Sequence, residues 1–194
     1  MAEKKDRECV GVGYKITPQT SNLFKEDFMS IYIGVDPGKN GAVAFYDDKK
    51  GEYSVFDVLD PDALDTLRAI ARKKVKKVAI VEKVHAGGFR KDKKTGKPIK
   101  AGVTSSGTFM RFTGRVEGWL QAFGVPFHEM TKAKWWKVVA GSTAMGKTTD
   151  ERKTASLDLA RRLFPSMADF LKRKKDHSRA EALLICEAAR KQGL

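Results

Sequence analysis

Residues 31–45, IYIGVDPGKNGAVAF, read as a strand, a tight turn and a returning strand. The run 30–36 is apolar and β-rich on both sides of the alternation, as in a buried strand. PGKNG (37–41) is built of turn formers, and AVAFY (42–46) leads back. EYSVFDVL (52–59) continues as a third strand, and KKVAIVEKV (76–84) is a further buried strand. Between them, residues 60–74 open on acids and Pro and then place Leu64, Leu67 and Ile70 at helical spacing. Downstream the period predicts a helix over 108–123, a short strand over 125–130 and a short helix in KAKWWKVVAG (132–141). A helix over 148–164 is ended by Pro165, and MADFLKRKK (167–175) and DHSRAEALLICEAARKQ (176–192) follow as two more helices. Strands first, then strand and helix in alternation, then helices: the order predicts an α/β chain with one mixed sheet flanked by helices.

Composition sets the class of partner. The 194 residues are 41% hydrophobic, enough for a core and more than a disordered chain carries. No apolar run approaches the roughly 20 residues that span a bilayer, so no membrane partner is expected. The N-terminus, MAEKKDRECV, is charged rather than apolar, which points to a cytoplasm-like compartment. Residues 1–28 are polar and aperiodic and read as an extension ahead of a domain over 29–194, with Met29 as an alternative start. Cys9 and Cys186 have no metal-ligand spacing and are expected as reduced thiols, Cys186 buried on a helix. The net charge of +14 is clustered, at 73–77, 90–100 and 172–175, and such a field attracts polyanions, nucleic acid first among them.

The acids carry the chemistry. Asp36 and Glu82 each end a buried strand, and Asp176 and Glu181 lie at the start of the last helix. Singly, each has an ordinary role: Asp before Pro-Gly starts turns, Glu ends strands, Asp caps helices. Together, four converging carboxylates repel one another unless a cation neutralises them. Oxygen donors suit Mg²⁺ or Mn²⁺, and two such ions about 4 Å apart can activate water and stabilise the leaving oxygen of a phosphodiester. An acidic pit in a basic surface therefore points to a nuclease.

Three strings carry a family resemblance. IYIGVDPGKNGAVAF resembles the first hairpin of the RuvC-like Holliday junction resolvases, VAIVEKV (78–84) their fourth strand with its catalytic Glu, and KKDHSRAEALLICEAA (174–189) their closing helix, in phage members especially. The likeness runs from about Met29 to Ala189, with the motifs in the right order. It implies a ribonuclease H-like fold with a five-stranded mixed sheet, and a homodimer that nicks a four-way DNA junction symmetrically with two Mg²⁺ or Mn²⁺ ions. Water would attack phosphorus, leaving a 5′-phosphate and a 3′-hydroxyl. By motif match Asp36 bridges the metals, Glu82 binds one, and Glu181 replaces the usual final Asp. The family's other helix acid falls on Ser178 here. Asp176 lies five residues before Glu181, about 140° round a helix, and converges only from at or before the N-cap; His177, four residues before, is the alternative ligand.

On the substrate side, residues 85–107 are Gly- and Lys-rich without a period and read as a long mobile loop. Its His85, Phe89, Arg90, Lys91, Lys93, Lys94, Lys97 and Lys100 combine basic side chains with an aromatic, suited to phosphate contact and base stacking. Lys39, Arg111, Lys174 and Lys175 complete the expected DNA contacts. Phe109, Phe112 and Trp119 fit a helical stripe and are expected in the core or a dimer interface. Of the adjacent Trp135 and Trp136, one is expected to be well buried. Two other functions compete: a branched-DNA-binding protein of the same fold that does not cut, and a nucleotide hydrolase built on GSTAMGKT (141–148), which matches G-x-x-x-x-G-K-T. The second needs a buried strand before the loop, for which WWKVVA could pass, and a later apolar strand ending in Asp. None is visible in the residues after Thr148, which read as helices. A sugar-kinase-like chain would need two domains and more length.

Overall fold

In a computed structural model, residues 29–84, 89–91, 96, 98–100 and 103–194 are described, with 89–91, 98–100 and 103–105 as backbone alone. The expected extension, 1–28, lies outside them. The elements are β1 (Ser30–Asp36), β2 (Ala42–Asp47), β3 (Glu52–Asp57), α1 (Pro61–Ala71), β4 (Lys76–Glu82), β5 (Phe89–Lys91), β6 (Pro98–Lys100), α2 (Val103–Ala122), β7 (Phe127–Met130), α3 (Lys132–Ala140), α4 (Thr149–Leu163) and α5 (His177–Gln192). Two 3₁₀ segments, Pro165–Leu171 and Lys174–Asp176, join α4 to α5. The five-stranded sheet has the order β3-β2-β1-β4-β7. β2 runs antiparallel to both neighbours, and β1, β4 and β7 are parallel. This is a five-stranded mixed sheet flanked by helices, the α/β arrangement that the sequence predicts.

The period-2 alternation of the strands distributes two cores. Ile31, Ile33 and Val35 of β1 join Ala79 and Val81 of β4 under α1 and α2, with Leu67, Ile70, Phe112, Val116 and Leu120. Tyr32 of β1 and Val78 and Ile80 of β4 face the other way, onto α3, α4 and α5. By the same alternation Gly34, Asp36 and Glu82 lie on this second face.

α5 is buried almost all round, from Ala180 to Ala189, as befits a helix packed between a sheet and two other helices. Its approach to β1 depends on Gly34. A Cβ there would lie 2.2 Å from Ala182 O and 2.2 Å from Cys186 N, both main-chain atoms of α5. Cys186 is buried, and its Sγ–H donates to Tyr32 O at 3.2 Å. At the far edge Arg179 of α5 forms a two-pronged pair with Asp57 of β3, 2.7 Å on each arm.

Three sequence-based expectations change. Residues within 85–107 do not all run as loop: β5 and β6 pair antiparallel, Phe89 opposite Lys100, and α2 already starts at Val103. The segment after Pro165 is 3₁₀ over Pro165–Leu171 rather than an α-helix. Trp135 and Trp136 are both buried, at 0% and 4% exposure, because α3 is wedged where both of its adjacent faces meet the core. No described helix is long and apolar enough to cross a membrane.

Candidate metal centre

β1 and β4 pair in parallel with Val35 opposite Val81, so Asp36 and Glu82 are the next residues at neighbouring strand ends. Parallel strands lie about 4.8 Å apart, and period 2 turns both carboxylates toward α5. Glu181, one turn into α5, meets them there. One carboxylate oxygen from each of Asp36, Glu82 and Glu181 lies within 4.8 Å of the others. The turn after Asp36 is tight: Gly41 N–H donates to Gly38 O at 3.1 Å, and a Cβ on Gly41 would meet Asp36 O at 2.1 Å.

Burial pushes the Asp36 carboxyl well above its ordinary pKa, and the nearby Glu181 and Glu82 push it further; Lys132 and a hydrogen bond from Ser178 oppose them. Glu82 is raised too, first by burial and then by Glu181, against Lys132 and the indole of Trp135. Such mutual repulsion is what a bound cation relieves. Three oxygen donors held on strand ends and a buried helix fit a hard divalent ion such as Mg²⁺ or Mn²⁺.

The supporting groups are ones that the sequence reading passed over. Trp135 Nε1–H donates to Glu82 Oε2 at 3.0 Å. Ser156 Oγ of α4 lies 3.1 Å from Glu181 Oε1. Lys132 Nζ is ion-paired with Glu181 and sits 5.6 Å from the Trp135 ring centroid. Ser178, where the resemblance places an acid, is buried and hydrogen-bonds Asp36.

Asp176 is not brought into the group. It ends the 3₁₀ segment before α5, and Arg173, three residues earlier, captures it. The Arg173 N–H donates to Asp176 Oδ2 at 2.8 Å and the guanidinium to Oδ1 at 2.9 Å. Burial tends to raise this carboxyl, yet the Arg173 bonds hold it below the usual range. Asp176, expected as a ligand, is thus held by Arg173 outside the group of three converging acids. His177 lines the same cavity as Asp36 and Glu181 but is outside the 4.8 Å group, with Nδ1 3.3 Å from Lys174 O. Burial, then Lys153, lowers its pKa.

The centre opens into a cavity of about 630 Å³ whose walls include the Asp36–Gly41 turn, Phe109, Glu181 and the cations Lys39, Lys132, Arg152 and Lys153. A second cavity of about 480 Å³ borders Glu82 and shares Lys132 and Arg152 with the first. Lys39 is thus at the site, whereas Arg111, Lys174 and Lys175 are exposed away from its walls. The side chains of His85, Phe89, Arg90, Lys91, Lys93, Lys94, Lys97 and Lys100 lie outside the described residues. Phe112 is core and Trp119 packs against it, but Phe109 is half-buried on the cavity wall. There α2 lays Phe109 against the Gly38 turn.

GSTAMGKT does not form a phosphate loop. The segment before it is helix α3, not a strand. Two amides that a phosphate loop would use are taken: the Lys147 and Thr148 N–H groups donate to Glu151 Oε2, and Thr148 caps α4 in return.

No family model matches the chain, and no curated protein matches it. Among solved structures, Thermus thermophilus RuvC in complex with a Holliday junction substrate is similar at a TM-score of 0.44 and 13% identity, covering 84% of this chain and 94% of that one. A second Thermus thermophilus RuvC structure is similar at a TM-score of 0.43 and 15% identity, covering 84% and 95%.

Proposed function

We propose that this chain is a metal-dependent endonuclease that cuts branched DNA, four-way junctions foremost. The observation that carries the reading is the convergence of Asp36, Glu82 and Glu181 within 4.8 Å at the mouth of a cation-rimmed cavity. Asp36 faces both other acids, and the three carboxylates together would hold the metal. Two Mg²⁺ or Mn²⁺ ions bound there would supply Lewis-acid stabilisation and an activated water for phosphodiester hydrolysis. The residues of the chain do the rest. Trp135 and Ser156 fix the rotamers of Glu82 and Glu181, as outer partners of metal ligands do. Lys39, Arg152 and Lys153 hold backbone phosphates against the acids. Phe109 gives the cavity an apolar wall. A homodimer that nicks opposed strands, with 5′-phosphate and 3′-hydroxyl products, is part of the proposal and follows from the motif resemblance.

The test is a synthetic four-way junction incubated with the protein and Mg²⁺ or Mn²⁺, with linear duplex as control. Cutting of the junction by the parent, absent in Asp36→Asn and Glu82→Gln, is the expected result. Junction binding without cutting in either metal overturns the nuclease reading and leaves a branched-DNA-binding protein.

A further inference from the structure

Lys132 stands in an unusual place. It is the first residue of α3, a helix whose first turn contains no acid and whose N-cap, Thr131, makes no side-chain capping bond. A helix N-terminus carries partial positive charge and disfavours a cation. The Lys132 ammonium instead reaches over the Trp135 ring to ion-pair with Glu181, and its charge bears on Asp36 and Glu82 as well. It also borders both cavities. One cation thus faces all three carboxylates, and the Glu181 oxygen it binds, Oε1, is also the one that Ser156 contacts.

We propose that Lys132 is the resident counter-cation of this centre and exchanges with a divalent ion on Glu181. The inference rests on reading the three carboxylates as a metal centre. Before the ion binds, the ammonium neutralises part of the cluster and keeps Glu181 turned toward Asp36 and Glu82. When the ion takes the carboxylate, the ammonium leaves it. Lys132 therefore sets metal affinity without being a ligand: it preorganises the cluster and competes for it.

Two measurements test this, both without DNA. The first is Mn²⁺ binding, read from the electron paramagnetic resonance of free Mn²⁺, for the parent, Lys132→Met and Lys132→Arg. An opposite charge at this range shifts ionic equilibria by about 1–3 powers of ten, so Lys132→Met is expected to bind Mn²⁺ on the order of tenfold more tightly. Lys132→Arg, which keeps the charge, stays close to the parent. The second uses the unaltered chain: reductive methylation of lysines, quantified at Lys132 by peptide mass spectrometry with and without Mg²⁺. Release from Glu181 makes Lys132 severalfold more reactive in Mg²⁺. If the parent binds no Mn²⁺ at millimolar concentration, the metal-centre reading fails and the exchange fails with it. If the parent binds but Lys132→Met binds no more tightly, or Mg²⁺ leaves the labelling of Lys132 unchanged, the exchange alone is overturned.

Discussion

Asp36→Asn should stabilise the protein when divalent ions are removed and destabilise it, relative to the parent, when they are supplied. At a separation of 4.8 Å and an effective dielectric of about 20, two like charges repel by about 3.5 kcal/mol. Removing the Asp36 charge abolishes two such repulsions, with Glu181 and Glu82, and one smaller attraction to Lys132. Protonation of Asp36, favoured by its raised pKa, already relieves part of the strain in the parent. A net gain of about 2 kcal/mol remains, or about 4–8 °C in melting temperature for a chain of this size. Asp36 holds its proton more tightly folded than unfolded, so the parent loses stability as pH rises from the ordinary carboxylate range near about 4 into the raised range. The gap between variant and parent is therefore absent below about pH 4 and opens above it. Thermal unfolding followed by circular dichroism in EDTA and in millimolar Mg²⁺, at about pH 4 and about pH 7.5, reads both effects. In Mg²⁺ the parent gains binding free energy that the variant forgoes, and the order reverses. A lower melting point for Asp36→Asn in EDTA at neutral pH, or no response of the parent to Mg²⁺, would refute the electrostatic account of the cluster.

Trp135→Phe removes the indole donor from Glu82 while keeping an aromatic in the core. Loss of an outer partner of a metal ligand typically weakens binding about 10–100-fold, so Mn²⁺ titration should show a weaker site in a folded protein; unchanged affinity would show that the bond does not orient Glu82. Gly34→Ala forces a methyl into the main chain of α5 at 2.2 Å. Overpacking of this kind costs at least about 1–3 kcal/mol, visible as a lower urea midpoint. An unchanged midpoint would mean that the helix stands off the strand in solution.

Much of the sheet could be read from the chain. Tyr32, Gly34 and Asp36 alternate with Ile31, Ile33 and Val35, and Val78, Ile80 and Glu82 alternate with Ala79 and Val81. That pattern alone puts both acids on one face once the strands are neighbours. Glu181 followed from its place early in an apolar helix. Asp176 lies apart from the cluster because Arg173 holds it, and their spacing of three residues is the sequence signal of that local partner. Lys132, Trp135 and Ser156 gave no such signal. Their roles depend on how α3 and α4 dock against α5, a contact between segments remote in sequence that no local period encodes. The β5–β6 hairpin escaped for a different reason: its Gly- and Lys-rich composition has no apolar alternation, so its pairing is a matter of main-chain hydrogen bonds.

At Gly34 the strand and the closing helix touch through peptide groups alone. Asp36 projects two residues beyond that joint on one side, and Glu181 one residue before Ala182 on the other. No intervening side chain sets the spacing of the two backbones from which these carboxylates project. Were the three carboxylates to hold a metal as proposed, a main-chain joint of fixed dimension would favour small ions with strict octahedral geometry over Ca²⁺, which favours more numerous and more pliant oxygens.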